Sequence, residues 1–477
     1  MTKSVSSDVV LVVDLDGTLL RSNMLFETFW SSLASDWHKL LPSFGTSVLS
    51  SASLKQHLAQ TALIDAALLP YNVDVIAYIK TWKASGGHTA LVTASDQVLA
   101  EQVALHLGLF DDVHGSDGAT NLKGENKARL LADRYGEAGY IYMGDSFADL
   151  PVWGKASKAI TVNASQVIRD RVEQLGCEYE HLSPPVHSFK PFLKAIRPHQ
   201  WLKNILVFVP MFVAHQFTPL AIVNCFLAFV AFNLIASSGY ILNDLCDLAS
   251  DRAHPRKRNR PFASGDIPIG YGSLMSPLLL FVALAIAVTL GRTFVLIIIG
   301  YYVATTAYSF YLKRKIVVDI CTLACLYTVR IVAGGAATVM PLSVWLLAFS
   351  FFFFFSLAAV KRQAELIDEV SRGMIKTIGR GYHVDDLPII AQIATASGYV
   401  SILVLAFYLN SPAVRNLYNT PEVFWGICLV LLYWISHIVI ETHRGNMHDD
   451  PIVYAVKDKI SLICFALVLG LAVGGTL

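Results

Sequence analysis

The chain has 477 residues, a formal net charge of +1, 54% hydrophobic residues and a mean hydropathy of +0.51. That length leaves room for two or three domains. A near-zero charge carries no information about nucleic acid, but there is no basic tail or base-stacking aromatic pattern, so no nucleic-acid partner is expected. The apolar excess is uneven. Residues 1–190 have ordinary charge and short apolar runs, whereas residues 200–477 alternate long apolar runs with short polar connections. One soluble domain followed by a polytopic membrane domain is the reading this division supports. The seven cysteines are scattered singly; Cys321 and Cys325, inside an apolar run, suit core packing better than a metal site.

The first element is the run Val9-Val10-Leu11-Val12-Val13, which closes on Asp14-Leu15-Asp16-Gly17-Thr18-Leu19. It is too short and too soon followed by charge to be a signal peptide, so the soluble domain is expected to stay in the cytoplasm. On a strand, Asp14 and Asp16 project to one side. Residues 21–75 carry Phe26, Phe29, Trp30 and Trp37 at near-helical spacing, which suggests a small helical cap with these aromatics in its core. His88–Val92 reads as a second strand ending in Thr93-Ala94-Ser95. Lys127 falls on a helix, with Lys123 its weaker competitor, and Tyr140–Met143 reads as a third strand ending in Gly144-Asp145-Ser146-Phe147-Ala148-Asp149. Strand ends bearing Asp, Thr/Ser, Lys and Asp gather at the carboxyl edge of an open α/β sheet, where ligands bind. There a carboxylate can attack phosphorus, with Mg²⁺ and a lysine offsetting anion–anion repulsion.

In these residues the segment 1–180 resembles the haloacid dehalogenase (HAD) superfamily, phosphoserine-phosphatase-like branch, which implies an α/β Rossmann-like sheet with a small helical cap. The resemblance implies Asp14 as nucleophile and Asp16 as general acid/base. It gives Thr93 or Ser95 to the phosphoryl oxygens and Lys127 to charge neutralisation. Mg²⁺ would be held by Asp14, Asp145 and the Leu15 carbonyl, with Asp149 assisting. Residues 181–193, with Pro184-Pro185, read as a linker.

Beyond the linker, residues 194–477 read as an all-α polytopic membrane domain. Nine apolar segments can be drawn, at about 203–219, 221–242, 273–290, 293–311, 317–337, 342–360, 388–409, 421–440 and 459–476. With the N-terminus inside, the inner connections hold twenty Lys and Arg, Lys376 among them, and the outer ones only Arg292 and Arg415. That bias supports about nine transmembrane helices and places the large charged loops on the cytoplasmic face. The expected location is therefore a bacterial inner membrane, with the soluble domain cytoplasmic.

Between the second and third segments lies Asn243-Asp244-Leu245-Cys246-Asp247-Leu248-Ala249-Ser250-Asp251-Arg252-Ala253-His254-Pro255-Arg256-Lys257-Arg258-Asn259-Arg260-Pro261. Charge of this density beside a bilayer is costly and marks a functional site. One helix face can offer Asp244, Asp247 and Asp251, hard oxygen ligands that suit Mg²⁺ and, through it, a diphosphate. A second acidic set, Glu365 with Asp368 or Glu369, follows Lys361 and Arg362. Two acidic helices facing across a cavity would hold metal ions against a diphosphate while Lys and Arg meet the other phosphate oxygens. Arg330, inside an apolar run, reads as a phosphate ligand in preference to a snorkelling end residue. His443 and His448, beside Asp449-Asp450, read as a solvated interfacial loop.

The pattern NDxxDxxxDRxHPRKRNRPxxSG is similar to the first aspartate-rich motif of the UbiA superfamily of intramembrane prenyltransferases. The resemblance implies a helical cavity, Mg²⁺-bound diphosphate and a lipid substrate. Lys361-Arg362-xx-Glu365-xx-Asp368-Glu369 departs from the usual second DxxxD, which puts ordinary aromatic prenylation in doubt. Arg197-Pro198-His199-Gln200-Trp201-Leu202-Lys203-Asn204, Tyr308–Lys313 and Arg330–Gly335 resemble the polyprenyl-phosphate 5-phosphoribosyltransferase branch. That branch implies polyprenyl phosphate and phosphoribosyl pyrophosphate as substrates, met by Lys203, Asn204, Asn243, Lys257, Arg258, Arg260, Lys313, Arg330, Lys361 and Arg362. Joined to the phosphatase-like half, the expectation is transfer of 5-phosphoribose to polyprenyl phosphate, then removal of the 5-phosphate. The alternatives are a prenyltransferase using an isoprenyl diphosphate beside an independent phosphatase, and a transporter or scaffold. Chain length of the lipid and oligomeric state, a homo-oligomer among the options, stay open.

Overall fold

A computed structural model describes residues 9–36, 57–117, 120–182, 188–373, 380–410, 421–447 and 450–475. Trp37, Pro184, Pro185, Lys376, Arg415, His448 and Asp449 lie outside the described residues. By internal contacts the chain forms two compact units. One joins Met1–Arg197 to Tyr240–Pro277; the other joins Pro198–Gly239 to Leu278–Leu477.

The first unit holds a six-stranded parallel sheet in the order β3-β2-β1-β4-β5-β6. Its strands are β1 (Val10–Val13), β2 (Thr89–Asp96), β3 (Asp112–Ser116), β4 (Tyr140–Gly144), β5 (Lys158–Val162) and β6 (Glu178–Leu182). Its helices are α1 (Met24–Asp36), α2 (Val73–Ala84), α3 (Gln97–Leu107), α4 (Glu125–Tyr135) and α5 (Gln166–Glu173). Alternate strand residues face opposite sides, and both sides are buried. Leu11, Val13, Leu91 and Met143 pack under α2 and α3 through Val75, Ile79, Leu99 and Val103. Val12, Val92, Tyr140 and Tyr142 pack under α4 and α5 through Ala128, Leu131, Ile168 and Val172. Covering by helices on both faces is why the strands read as continuous apolar runs. The chain order reverses at β1, which pairs with β2 on one side and β4 on the other. Ligands bind at such a switch point, outside the carboxyl ends of the strands.

The helices continue as α6 (Lys190–Ile196), α7 (Pro219–Cys246), α8 (Leu248–Ala253), α9 (Ile269–Thr289), α10 (Arg292–Phe310), α11 (Val318–Thr338) and α12 (Val344–Ser371). After them come α13 (Leu387–Leu409), α14 (Trp425–His443), α15 (Pro451–Lys457) and α16 (Lys459–Gly474). Among the described residues, seven helical segments are long and apolar enough to cross a membrane, those of α7 and α9 to α14, and α16 is a shorter apolar helix. The first of the nine expected segments differs. Pro198–Phe208 is 3-10 helix and Val209–Val213 a single α-turn. Pro198 and Pro210 each lack an amide donor, and Gln200, Lys203 and Asn204 interrupt the apolar pattern, so no long α-helix is sustained. Within the second unit, Phe232, Phe294, Ile298 and Tyr301 form one buried cluster and Ala359, Leu366, Tyr382 and Ile390 another. Leu220, Phe281 and Leu429, each 70% exposed, present the outward apolar surface that a lipid would cover.

Candidate active sites

β1 ends at Val13, one residue short of the expected pair of aspartates. Asp14 caps a turn over Leu15–Leu19 in which Gly17 has φ +73°. The aspartates therefore leave the strand, and the turn directs them. Asp14 Oδ1 accepts from its neighbour Leu15 N at 2.8 Å and meets Lys127 Nζ at 2.9 Å. Asp16 Oδ1 accepts from Met24 N at 2.7 Å, and Asp16 Oδ2 accepts from Ser95 Oγ at 2.7 Å. Thr93, fully buried, accepts from Ser95 N at 3.0 Å.

Lys127 on α4 is 2% exposed and donates to Tyr142 OH at 2.8 Å, which in turn donates to Asp149 Oδ1 at 2.8 Å. Lys123 is exposed. Asp149 Oδ2 accepts from Ser146 Oγ at 3.0 Å and Ser146 N at 3.1 Å. Gly17 allows the closest approach in the centre: a Cβ there would sit 2.1 Å from Asp145 Oδ2. Tyr142, which bridges lysine and aspartate, is not legible in the sequence, because a strand tyrosine in an apolar run carries no chemical signal.

Asp14, Asp145 and Asp149 each bring one oxygen within 4.8 Å of the others. Burial, and then neighbouring carboxylates, raise Asp145 to about 8. Burial also raises Asp14, to about 7, against the opposing pull of Lys127. One lysine cannot balance Asp14, Asp16, Asp145 and Asp149. Hard oxygens gathered with uncompensated negative charge are the donor set that Mg²⁺ takes, so this centre fits the ion.

The acidic tract belongs to the same unit. α7 ends at Cys246 and α8 begins at Leu248, with Asp247 between them at φ −96°, ψ 11°. The tract is thus two helices and not the single helix face expected from spacing. Asp244 and Asp251 are 2% and 1% exposed. Arg260 Nη1 contacts both, at 3.0 Å to Asp244 Oδ1 and 2.6 Å to Asp251 Oδ2. Arg197 Nη2 adds a third bond, 2.5 Å to Asp244 Oδ1. Asp247 instead accepts from Asn243 Nδ2 at 2.9 Å. Burial raises Asp251, with Arg260 opposing. Because two carboxylates already converge on one cationic nitrogen, Asp244 and Asp251 fit a shared divalent ion as well. Lys257 and Arg258 are exposed on the 3-10 turn Lys257–Asn259.

The second unit gathers the remaining expected residues in three groups. Arg330 is 5% exposed; its Nε donates to Asn204 Oδ1 at 2.7 Å and its Nη2 to Tyr301 OH at 2.8 Å. Asn204 also donates to Asn233 at 2.6 Å. Lys203 and Lys361 both reach Asp450 Oδ2, at 2.6 and 3.3 Å. Burial pushes Asp450 up, but Lys361 and Lys203 outweigh it and hold the carboxyl at about 2. Asp450 is thus an ion-paired residue whose Oδ1 also caps α15 through Ile452 N.

In the third group Arg362, fully buried, lies 2.7 Å from Asp319 Oδ2 and contacts Glu365. Glu365 also meets Arg380 Nε at 3.1 Å, and Asp319 accepts from Tyr382 OH at 2.5 Å. Asp368 pairs with Arg372 on an exposed face at 2.6 Å, and Lys313 sits on the 3-10 turn Leu312–Arg314. Asp319, Arg380 with Tyr382, and Asp450 come from three separate segments, so spacing along the chain could not assemble them.

Residues 204–456 match the model of the UbiA prenyltransferase family, and residues 11–153 match haloacid dehalogenase-like hydrolase. The chain is 37% identical to the protein y4nM of Sinorhizobium fredii, over 96% of this chain and 89% of that one. It is 38% identical to nodulation protein NoeC of Azorhizobium caulinodans, over 60% of this chain and 92% of NoeC. It is 30% identical to decaprenyl-phosphate phosphoribosyltransferase of Mycolicibacterium smegmatis, over 60% of this chain and 92% of that enzyme. Behind an N-terminal HAD-like domain, the chain belongs to the UbiA prenyltransferase family.

Proposed function

We propose that the protein transfers 5-phosphoribose from phosphoribosyl pyrophosphate to a polyprenyl phosphate and then removes the 5-phosphate. The observation that carries this reading is the convergence of Lys203 and Lys361 on the single carboxylate of Asp450, which leaves an excess of positive charge. An isoprenyl diphosphate donor has no phosphate beyond its diphosphate to need it; a phosphoribosyl donor has the 5-phosphate. The relative named decaprenyl-phosphate phosphoribosyltransferase supports the same choice.

In the first step an oxygen of the polyprenyl phosphate bonds to C1 of the ribose as the C1–diphosphate bond breaks, and pyrophosphate leaves. Asp244 and Asp251 would hold Mg²⁺ against the diphosphate, with Asp247, Glu365 and Asp368 as further candidate ligands. Asn204, Asn243, Lys257, Arg258, Arg260, Lys313, Arg330 and Arg362 are proposed to bind the anionic substrates. In the second step Asp14 attacks the 5-phosphorus, Asp16 protonates the departing ribose oxygen, and the same carboxylate then deprotonates the water that cleaves the aspartyl-phosphate. Thr93 or Ser95 and Lys127 hold the phosphoryl oxygens, and Asp14, Asp145 and Asp149 would hold Mg²⁺. Bound Mg²⁺ supplies neutralisation of phosphate charge in both steps. Tethering presents the first product to the phosphatase at high effective concentration.

The test supplies purified full-length protein with phosphoribosyl pyrophosphate, a polyprenyl phosphate and Mg²⁺. Both pyrophosphate and inorganic phosphate are expected, with ribosyl phosphoryl lipid as product. A persisting 5-phosphorylated lipid removes the second step. Consumption of isoprenyl diphosphate in place of the ribosyl donor removes the first.

A further inference from the structure

Helix α1 touches both centres of the first unit. At its start, Met24 N donates to Asp16 Oδ1 at 2.7 Å. One turn later, Glu27 is 3% exposed and accepts two bonds from Arg252, Nη2 to Oε1 at 2.7 Å and Nη1 to Oε2 at 3.0 Å. Arg252 follows Asp251 directly in α8, and its Nε donates to Ala263 O at 3.0 Å. All three guanidinium nitrogens are therefore engaged. One turn further along α1, Trp30 Nε1 donates to Ser273 Oγ at 2.9 Å. The surfaces meet where side chains are missing: a Cβ on Gly270 would sit 3.0 Å from the Phe26 ring.

A buried, bidentate arginine–carboxylate pair fixes geometry more than it adds stability, since desolvation offsets most of the Coulomb gain. Hydrophobic packing would have joined these surfaces without it. Its place is therefore informative: it ties the residue beside Asp251 to a helix whose first amide holds the proposed acid/base of the other centre.

We propose that α1 is a coupling strut, with Glu27 a positioning residue that holds α8, and through it Asp251, in a geometry set by the hydrogen bond from Met24 N to Asp16. The proposal rests on the reading of the two centres given above. A phosphoryl group bound at Asp14 sets anionic oxygens beside Asp16 and competes for its hydrogen bonds from Ser95 Oγ and Met24 N; α1 transmits the displacement to Arg252. By linkage, occupancy of the acidic tract affects the phosphatase centre by the same factor.

Hydrogen exchange of the full-length protein in detergent tests this without donor or lipid. Mg²⁺ with beryllium fluoride serves as the probe for a phosphorylated aspartate. In the wild type the probe is expected to change exchange across Leu248–Ala253 at least about threefold, together with the response at Asp145–Asp149. Glu27→Gln should abolish the change at Leu248–Ala253 and keep the one at Asp145–Asp149, and Glu27→Asp should restore part of it. Should the single variant not fold, Glu27→Gln combined with Arg252→Gln removes both buried charges and should give the same result. A responsive Asp145–Asp149 with a silent Leu248–Ala253, or a change undiminished in the variants, overturns the strut alone. Silence at both segments in the wild type overturns the strut together with the Asp14 reading.

Discussion

The two acidic centres of the first unit differ in how their charge is balanced. Around Asp14, four carboxylates share Lys127, and Asp14 and Asp145 stand at about 7 and about 8. In the tract, Asp244 and Asp251 are met by Arg197 and Arg260, near one cation per carboxylate. The first centre has one cation for four carboxylates, and burial with mutual repulsion raises Asp14 and Asp145. The second carries its counter-charge as arginine, which in the proposed reaction would have to yield or be shared when Mg²⁺ and diphosphate bind. Similar residues thus make a cation-poor carboxylate cluster in one case and an arginine-latched one in the other.

The largest effect that can break this comparison is loss of the proposed nucleophile. Asp14→Asn is expected to lower inorganic phosphate release by at least about a thousandfold while pyrophosphate release stays within about twofold. Parallel loss of both products would mean that the centres are not separate.

The next is pH. Asp14 and Asp145 must lose protons to bind Mg²⁺, so affinity at this centre should rise on the order of a hundredfold between pH 6 and pH 8. A Mg²⁺ titration of phosphate release measures it. The sign for metal-free stability is opposite. These pKa values are raised on folding, so their contribution is complete below the ordinary carboxylate pKa and is lost as pH rises through 7 to 8. Added Mg²⁺ should reverse that loss in thermal melts.

Asp450→Asn strands two lysines in a largely buried setting and should cost about 3 kcal/mol, read by denaturation in detergent at neutral pH. Here the pKa is depressed to about 2. The contribution is therefore present above the ordinary carboxylate pKa and disappears as pH falls through about 2. A deficit unchanged at pH 2 would contradict the ion pair.

The smallest effect is at Arg260, whose side chain is 25% exposed. Arg260→Ala should destabilise by about 1–2 kcal/mol, between the values for exposed and buried pairs. Millimolar Mg²⁺ should recover part of the loss by taking the place of the guanidinium, and failure to do so would count against a metal role for Asp244 and Asp251.

The legible parts of the molecule are those set by local pattern. Val10–Val13 ahead of Asp14, Thr93 in β2, and Lys127 on α4 could be placed from apolar runs and turn residues, because burial on both faces leaves an unbroken hydrophobic signature. Membrane segments from α7 onward were legible by length. The segment from Pro198 to Val213 was not, since its apolar content outweighed two prolines in the reading but not in the fold. Asp450 was not legible for another reason: a loop aspartate acquires burial only from distant partners.

Residue order alone determined the chemical inventory: which carboxylates end strands, where the acidic tract lies, and which stretches are apolar enough for a bilayer. Those depend on neighbours a few positions apart. Tertiary structure alone decided which cation meets which carboxylate, as with Arg260 on Asp244 and Asp251, Lys203 and Lys361 on Asp450, and Arg252 on Glu27. Ion pairing falls off with distance in space, and 225 positions separate Glu27 from Arg252.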